Sequence, residues 1–271
     1  MSERLEGRGE RLGEEVMENR TMSEPGVRAE LPDAERGAEA MAAPVLEPGA
    51  LPEPGKLAVP TGAEIQVWWA RVRVGQLDEA LRAALASDLN AATIARLDRF
   101  HRVQDRDRGL AAHSLLRRLL AAVAGRAPAD LKLGTRCAGC GETDHGKPFL
   151  DVGTGTPPVE VNLSHSGELV CVALAAPGVQ VGVDVEQRRV VDWSTLRRSV
   201  FGDSEWATTE RSDNPERRRM DAWARKESAV KSSGHGLSLP FREVLIEDAD
   251  WGGWTTVLPP RRGRRPAGIS T

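Results

Sequence analysis

Two acidic residues at alternate positions, Asp184 and Glu186, stand in the run Val181-Gly-Val-Asp-Val-Glu186. Side chains two apart on an extended chain leave on the same side. The carboxylates therefore project together, while Val181, Val183 and Val185 take the opposite side. Neighbouring carboxylates repel unless a cation lies between them, and hard divalent ions prefer oxygen ligands. The alternative is a solvated edge strand with ordinary surface acids. A third carboxylate, Glu227, lies in the strongly helical Asp221–Lys231 and shares a helix face with Lys231, four residues on. Taken alone, that pair also fits a plain helix salt bridge.

Three further segments carry chemistry-bearing side chains. Ser164-His165-Ser166-Gly167 offers hydroxyls and an imidazole at a strand end, but no nucleophile–base–acid order that would suit a serine hydrolase. Gly141-Glu-Thr-Asp-His-Gly-Lys147-Pro148 nearly spells a phosphate-binding P-loop. Pro148 replaces the hydroxyl residue and has no N–H, so that reading fails. Lys147 is then either a phosphate contact held on a rigid loop or a solvated turn residue. Cys137-Ala-Gly-Cys140, with His145 five residues on, could form part of a structural zinc site. A complete site would need Cys171 or a carboxylate such as Asp144. A redox role would want the motif between a strand and a helix, and it lies in a loop.

Composition narrows the classes. The 271 residues hold 37 basic and 40 acidic side chains, a net charge of −3, so nothing draws the chain toward nucleic acid. No apolar run approaches the roughly 18 residues of a membrane span, and the N-terminus has no signal-peptide core. Three cysteines argue against a disulfide framework and for a reducing cytoplasm. Only five of the 37 basic residues are lysine: Lys56, Lys132, Lys147, Lys226 and Lys231. A chain that so prefers arginine keeps lysine where a compact ammonium is useful.

These side chains need a frame. Residues 1–60 carry 13 acidic residues, seven prolines and no aromatic, a composition that predicts a disordered extension. Folded signals begin near Glu64, with a strand from Ile65 to about Val74. Asp78 can cap a helix over 79–86, and Asp88 or Asn90 a second one ending by Phe100. The spacing of Leu116, Leu119, Leu120 and Val123 predicts a helix over 105–124, stopped by Gly125. Strands are expected at Val159–Leu163, Leu169–Ala175 and Val179–Glu186. Helices follow at 193–200, 203–210 and 215–232. Two last strands cover Arg242–Glu247 and Trp254–Leu258, before a loose tail at 259–271. The mixed order predicts an α+β fold.

Together, Gly146-Lys147-Pro148, Asn162-Leu-Ser164-His165-Ser166, Val181–Glu186 and Trp223–Lys231 resemble the motifs of the Sfp-type 4′-phosphopantetheinyl transferases. The resemblance spans about residues 64–247 and includes Arg99–Arg108 with its helix. It implies two similar halves, about 62–177 and 178–258, packed as a pseudo-dimer around coenzyme A, in a monomer. The activity implied is transfer of the phosphopantetheine arm of coenzyme A to a serine of an apo acyl or peptidyl carrier protein. Asp184, Glu186 and Glu227 would hold Mg²⁺, with Lys231 beside the pyrophosphate. Glu227 or Glu205 would take the serine proton. Lys147, Ser164 and His165 would hold the 3′-phosphate and nearby groups, with Arg96 and Arg108 as further phosphate contacts. The same residues also admit a Mg²⁺-dependent phosphohydrolase, or a non-catalytic binder of coenzyme A or carrier protein. The family continues with strand after Leu258. Here a Pro/Arg/Gly-rich stretch follows, so an open sheet edge is expected.

Overall fold

The Asp78 carboxylate accepts the Leu81 N–H at 2.7 Å and starts the first helix, α1 (Glu79–Ser87). Asn90 caps α2 (Ala91–Leu97) in the same way, at Thr93. Asp88, the other cap the sequence offered, turns instead to Ser114 (2.5 Å) and Arg118 (2.6 Å) on the central helix, α3 (Val103–Ala124). Gly125 ends α3 in the left-handed region, φ 66°, where a residue without Cβ is favoured. These observations come from a computed structural model that describes residues 16–18, 51–143, 145–153, 158–236, 239–248 and 254–257.

An antiparallel sheet covers α3. Its strands are β2 (Ile65–Arg71), β5 (Glu160–Ser166) and β6 (Leu169–Ala175), in the order β2-β6-β5. One face of the sheet, with Val161, Val170, Val172 and Leu174, joins Leu115, Leu116 and Leu119 of α3 in the main core. Each such fully buried aliphatic contributes about 1.5–3 kcal/mol. The opposite face carries Ala173 and Ala175, small enough for Val181 and its neighbours to pack directly on it. Two expectations are corrected here. β2 stops at Arg71, short of Val74, because its partner β6 begins at Leu169 and the Val74 N–H turns back to Val72 O at 2.8 Å. Ser164–Ser166, read as a strand end, belong to β5, and the turn falls on Gly167-Glu168.

A small hairpin, β3 (Leu133–Arg136) with β4 (Lys147–Leu150), was not foreseen. Its strands are four residues long and interrupted by Gly134 and Pro148, so no alternation was visible. The three predicted late helices are present as α4 (Trp193–Val200), α5 (Asp203–Glu210) and α6 (Pro215–Ser233). They enclose Trp193, Val200 and Phe201, against which Trp206 and Trp223 pack. Lys226 of α6 is fully buried beside them and donates to Val200 O, Phe241 O and Glu205 Oε2. A single-turn helix over Phe241–Glu243 replaces the start of the next predicted strand, which becomes β7 (Leu245–Asp248).

The last strand, β8 (Trp254–Val257), pairs with β7 and, on its other side, with β1 (Val16–Glu18). The edge expected to be open is therefore paired. The predicted disorder of 1–60 is also corrected where residues are described. Residues 16–18 form that strand, and Leu51, Leu57 and Val59 pack on the main core. The Leu57 N–H donates to Ala122 O at 3.1 Å. The rest of 1–50 and the tail 259–271 lie outside the described residues. Among the described residues no helix is long and apolar enough to cross a membrane.

Candidate functional site

Alternation along β5 puts Asn162, Ser164 and Ser166 on the face away from α3. Residues 179–187 run along that face. Of these, 179–186 were expected to form a strand, and they do not. Their backbone is bonded to side chains instead. Asn162 Oδ1 accepts from Val183 N at 3.0 Å, Ser164 Oγ from Val185 N at 3.4 Å, and Ser166 Oγ from Gln187 N at 3.0 Å. These side-chain acceptors satisfy alternate N–H groups without a backbone ladder. The two serine hydroxyls then donate to the acids: Ser164 to Asp184 Oδ1 at 2.8 Å and Ser166 to Glu186 Oε2 at 3.0 Å.

Helix α6 lies over this row at very close range. A Cβ on Gly182 would fall 2.0 Å from Ser228 O and 2.5 Å from Ser232 N, so only glycine permits the approach. The docking brings successive turns of α6 to the acids. Trp223 Nε1 donates to Glu186 Oε1 at 2.9 Å. Lys231 Nζ donates to Asp184 Oδ1 at 2.5 Å and to Ser164 Oγ at 2.9 Å. Ser164 thus uses its one donor and both acceptor positions. Gly234, φ 71°, stops the helix three residues after Lys231.

The site is acidic and largely shielded. The Asp184 side chain is 4% exposed, and its Oδ2 is buried with no hydrogen-bond partner. Burial raises the Asp184 pKa, against the pull of Lys231. Burial likewise raises Glu227; Lys231 opposes this, while the Asp184 and Glu186 charges add to it. Glu227 therefore lies within the field of the acidic pair. Asp184, Glu186, Glu227, Lys231 and Ser164 form one neighbourhood. The three carboxylates do not close as tightly as a bound ion would draw them. Among the described residues, the group of three metal-capable side chains with ligand atoms within 4.8 Å of one another is Cys137, Cys140 and His145. Cys171 is not in that group. It pairs with Ser164 across β5–β6, and burial pushes its thiol up to about 12. Asp144 lies outside the described residues.

The remaining sequence-selected residues fall around this centre at different distances. His165 faces the α3 side of β5, and its pKa is lowered by lost hydration and then by the Arg108 and Lys231 charges. Arg108 donates to Gly167 O at 2.8 Å and pairs with Asp105, which fixes it at the β5–β6 turn. Arg96 contacts His113 Nε2 at 2.7 Å, and His113, lowered to about 4 chiefly by burial, feels both Arg96 and His165. Two arginines, Arg96 and Arg108, thus flank two imidazoles that burial keeps neutral, His113 and His165. Lys147 is paired with Glu160 at 3.2 Å, and its Cβ lies beside Gly234 at the end of α6. Glu205 is bonded to Lys226 at 2.7 Å, beside the contacts that lysine makes to Val200 O and Phe241 O. Asn162, Ser166, Gly182 and Trp223 were not singled out as site residues. The period-two Asn-x-Ser-x-Ser pattern was the available signal for the first two.

Comparison with known proteins agrees with this geometry. The family model for the 4′-phosphopantetheinyl transferase superfamily matches residues 180–266, which includes the acidic run and α6. A 4′-phosphopantetheinyl transferase from Bacillus subtilis is 28% identical over 177 residues, covering 64% of this chain and 71% of that protein. A phosphopantetheinyl transferase from Thraustochytrium is 31% identical over 199 residues, covering 67% and 65%. The 4′-phosphopantetheinyl transferase Sfp of Bacillus subtilis is 27% identical over 151 residues, covering 55% and 61%. The chain spans from about three fifths to seven tenths of these relatives' lengths. Residues 180–266, with the acidic pair, Glu227 and Lys231 gathered at one junction, thus carry the similarity of this chain to the 4′-phosphopantetheinyl transferase superfamily.

Proposed function

We propose that this chain transfers the 4′-phosphopantetheine arm of coenzyme A to a serine of an apo acyl or peptidyl carrier protein, in a Mg²⁺-dependent reaction. The serine oxygen forms a bond to the β-phosphorus of coenzyme A. The bond from that phosphorus to the bridging pyrophosphate oxygen breaks. Adenosine 3′,5′-bisphosphate leaves. The observation that carries the reading is the buried, unpartnered Asp184 Oδ2, beside Glu186 and under the Glu227–Lys231 face of α6.

The residues present fit a hard divalent cation. An oxygen buried without a donor, in the field of two more carboxylates, lacks a positive partner. Asp184, Glu186 and Glu227 would hold Mg²⁺, which when bound supplies neutralisation of charge on the pyrophosphate. Lys231, tethered by Asp184 and Ser164, is positioned to contact the leaving phosphate. Glu227 would also accept the serine proton. Glu205 is the alternative base, although Lys226 holds its carboxylate. Lys147, His165, Arg96 and Arg108 would bind the 3′-phosphate and neighbouring groups, while Ser164 orders Lys231. The same reading takes about 62–177 and 178–258 as the two halves of a pseudo-dimer with the site between them. It also places a monomer in the cytoplasm, consistent with the free thiols of Cys137, Cys140 and Cys171.

The test is incubation with coenzyme A, Mg²⁺ and a panel of apo carrier proteins, read by mass spectrometry with EDTA controls. The carrier should gain one phosphopantetheine arm and the bisphosphate should appear. Release of inorganic phosphate without carrier modification would indicate a phosphohydrolase. Coenzyme A binding without turnover would indicate a binder.

A further inference from the structure

The loop between β3 and β4 has no task in that reaction, yet it is built around three soft ligands. Cys137 follows the last residue of β3. Its carbonyl accepts from Gly141 N at 2.8 Å, and its N–H donates to Glu142 O at 3.0 Å. The turn between them, with Gly141 at φ 80°, brings Cys140 back toward Cys137. The return leg lies so near the first that a Cβ on Gly146 would be 2.3 Å from Arg136 O. That approach sets His145 beside Cys140, with Sγ and Nε2 3.4 Å apart.

Tetrahedral zinc, with bonds of about 2.3 Å to sulfur and 2.0–2.1 Å to nitrogen, separates two sulfurs by about 3.8 Å and a sulfur from a nitrogen by about 3.6 Å. The three ligand atoms here already lie within 4.8 Å of one another, and one pair is close to the ideal spacing. We propose that Cys137, Cys140 and His145 bind one Zn²⁺ ion that clamps the β3–β4 hairpin. The fourth position, taken by none of the described residues, is left to solvent.

The clamp has a second consequence, which rests on the functional reading above. Ala138 N donates to Gly234 O at 3.0 Å, so the loop is docked on the end of α6, three residues after Lys231. His145 lies two residues before Lys147. A metal at this point would fix together the two chain segments that present Lys147 and Lys231. Side chains alone give a short, glycine-rich hairpin little to hold it in one conformation.

The experiment uses the full chain, purified from zinc-supplemented cells without chelator or metal-binding tag. Elemental analysis should find about one zinc per chain. Replacement by Co²⁺ should give a sulfur-to-cobalt charge-transfer band. Cys140→Ser and His145→Ala should each reduce retained zinc about tenfold or more, while Cys171→Ser leaves it unchanged. Chelation should speed amide exchange at 137–147 and at 231–235. If the ligand variants fail to fold, the wild-type stoichiometry and the cobalt spectrum still decide. A reduced wild-type chain that takes up no zinc would overturn the proposal, as would full zinc retention in Cys140→Ser or a stable Cys137–Cys140 disulfide in its place. Loss of carrier modification without these metal results would bear only on the functional reading.

Discussion

Replacing Asp184 by Asn keeps the volume and removes one charge at the centre of the site. In the metal-free protein two effects oppose each other. The variant loses the charge assistance of the Lys231 bond, which separates a bond of about 1.5–3 kcal/mol from one of about 0.5–1.5 kcal/mol. It gains because a carboxylate with one unpartnered, buried oxygen is no longer kept ionised. The net change should be within about 1 kcal/mol, or about 2–4 °C in Tm for a chain of this size. The pH dependence follows from the sign of the shift. Burial raises the folded pKa of Asp184 above its ordinary 3.8, so the native state binds its proton more tightly than the unfolded chain. The resulting stabilisation is complete below the ordinary value and is lost as pH rises through the folded value. Asn has no such loss, so Tm of the variant relative to wild type should climb as pH rises out of the acid range. Mg²⁺ with coenzyme A should reverse the order. At about ten times the dissociation constant, a ligand of the folded state adds about 1.4 kcal/mol, or about 3–6 °C, to wild type and little to the variant. Carrier modification should fall at least about 100-fold, since even outer-shell partners of a metal cost 10–100-fold. Thermal melts from pH 4 to 8 with Mg²⁺ or EDTA, together with the carrier assay, measure all of this. A variant that keeps both the Mg²⁺-dependent shift and full transfer would refute the metal-site argument.

Gly182→Ala should push α6 off the acidic row, lowering stability by about 1–3 kcal/mol and transfer by about 100-fold through misplacement of Glu227 and Lys231; unchanged kinetics would mean that the close approach is dispensable. Lys226→Met leaves Glu205 and two buried carbonyls without their donor, so unfolding in urea should show a loss of about 3–5 kcal/mol. Glu227→Gln should lower kcat by about 10²–10⁴-fold and remove the acid limb of the pH–rate profile; an unaltered limb would move the base to another residue. A chain beginning at Thr61 should melt well below one beginning at Leu51, because the partly buried Leu51, Leu57 and Val59 are lost from the core; equal melting temperatures would show that these contacts contribute nothing.

Local chemistry made much of the frame legible from the amino-acid sequence. Asp78 and Asn90 announce α1 and α2 because a short oxygen-bearing side chain is what the first free N–H groups of a helix need. The period of two in Val181–Glu186 put Asp184 and Glu186 on one side, and the period of 3.6 put Glu227 and Lys231 on one face of α6. What lay opposite those faces was decided only by tertiary structure. Helical spacing admits an ion pair between Glu227 and Lys231, but the docked helix gives Lys231 to Asp184 and Ser164 instead. Lys226, one residue before Glu227, turns to the core and takes Glu205 with it. The acidic run alternates like a strand, yet its N–H groups go to Asn162, Ser164 and Ser166, side chains about 20 residues earlier in the chain. No local pattern encodes such partners. Their pairing depends on the closeness of α6, set by the missing Cβ of Gly182, and on Ala173 and Ala175, which let residues 179–183 lie flat against the sheet.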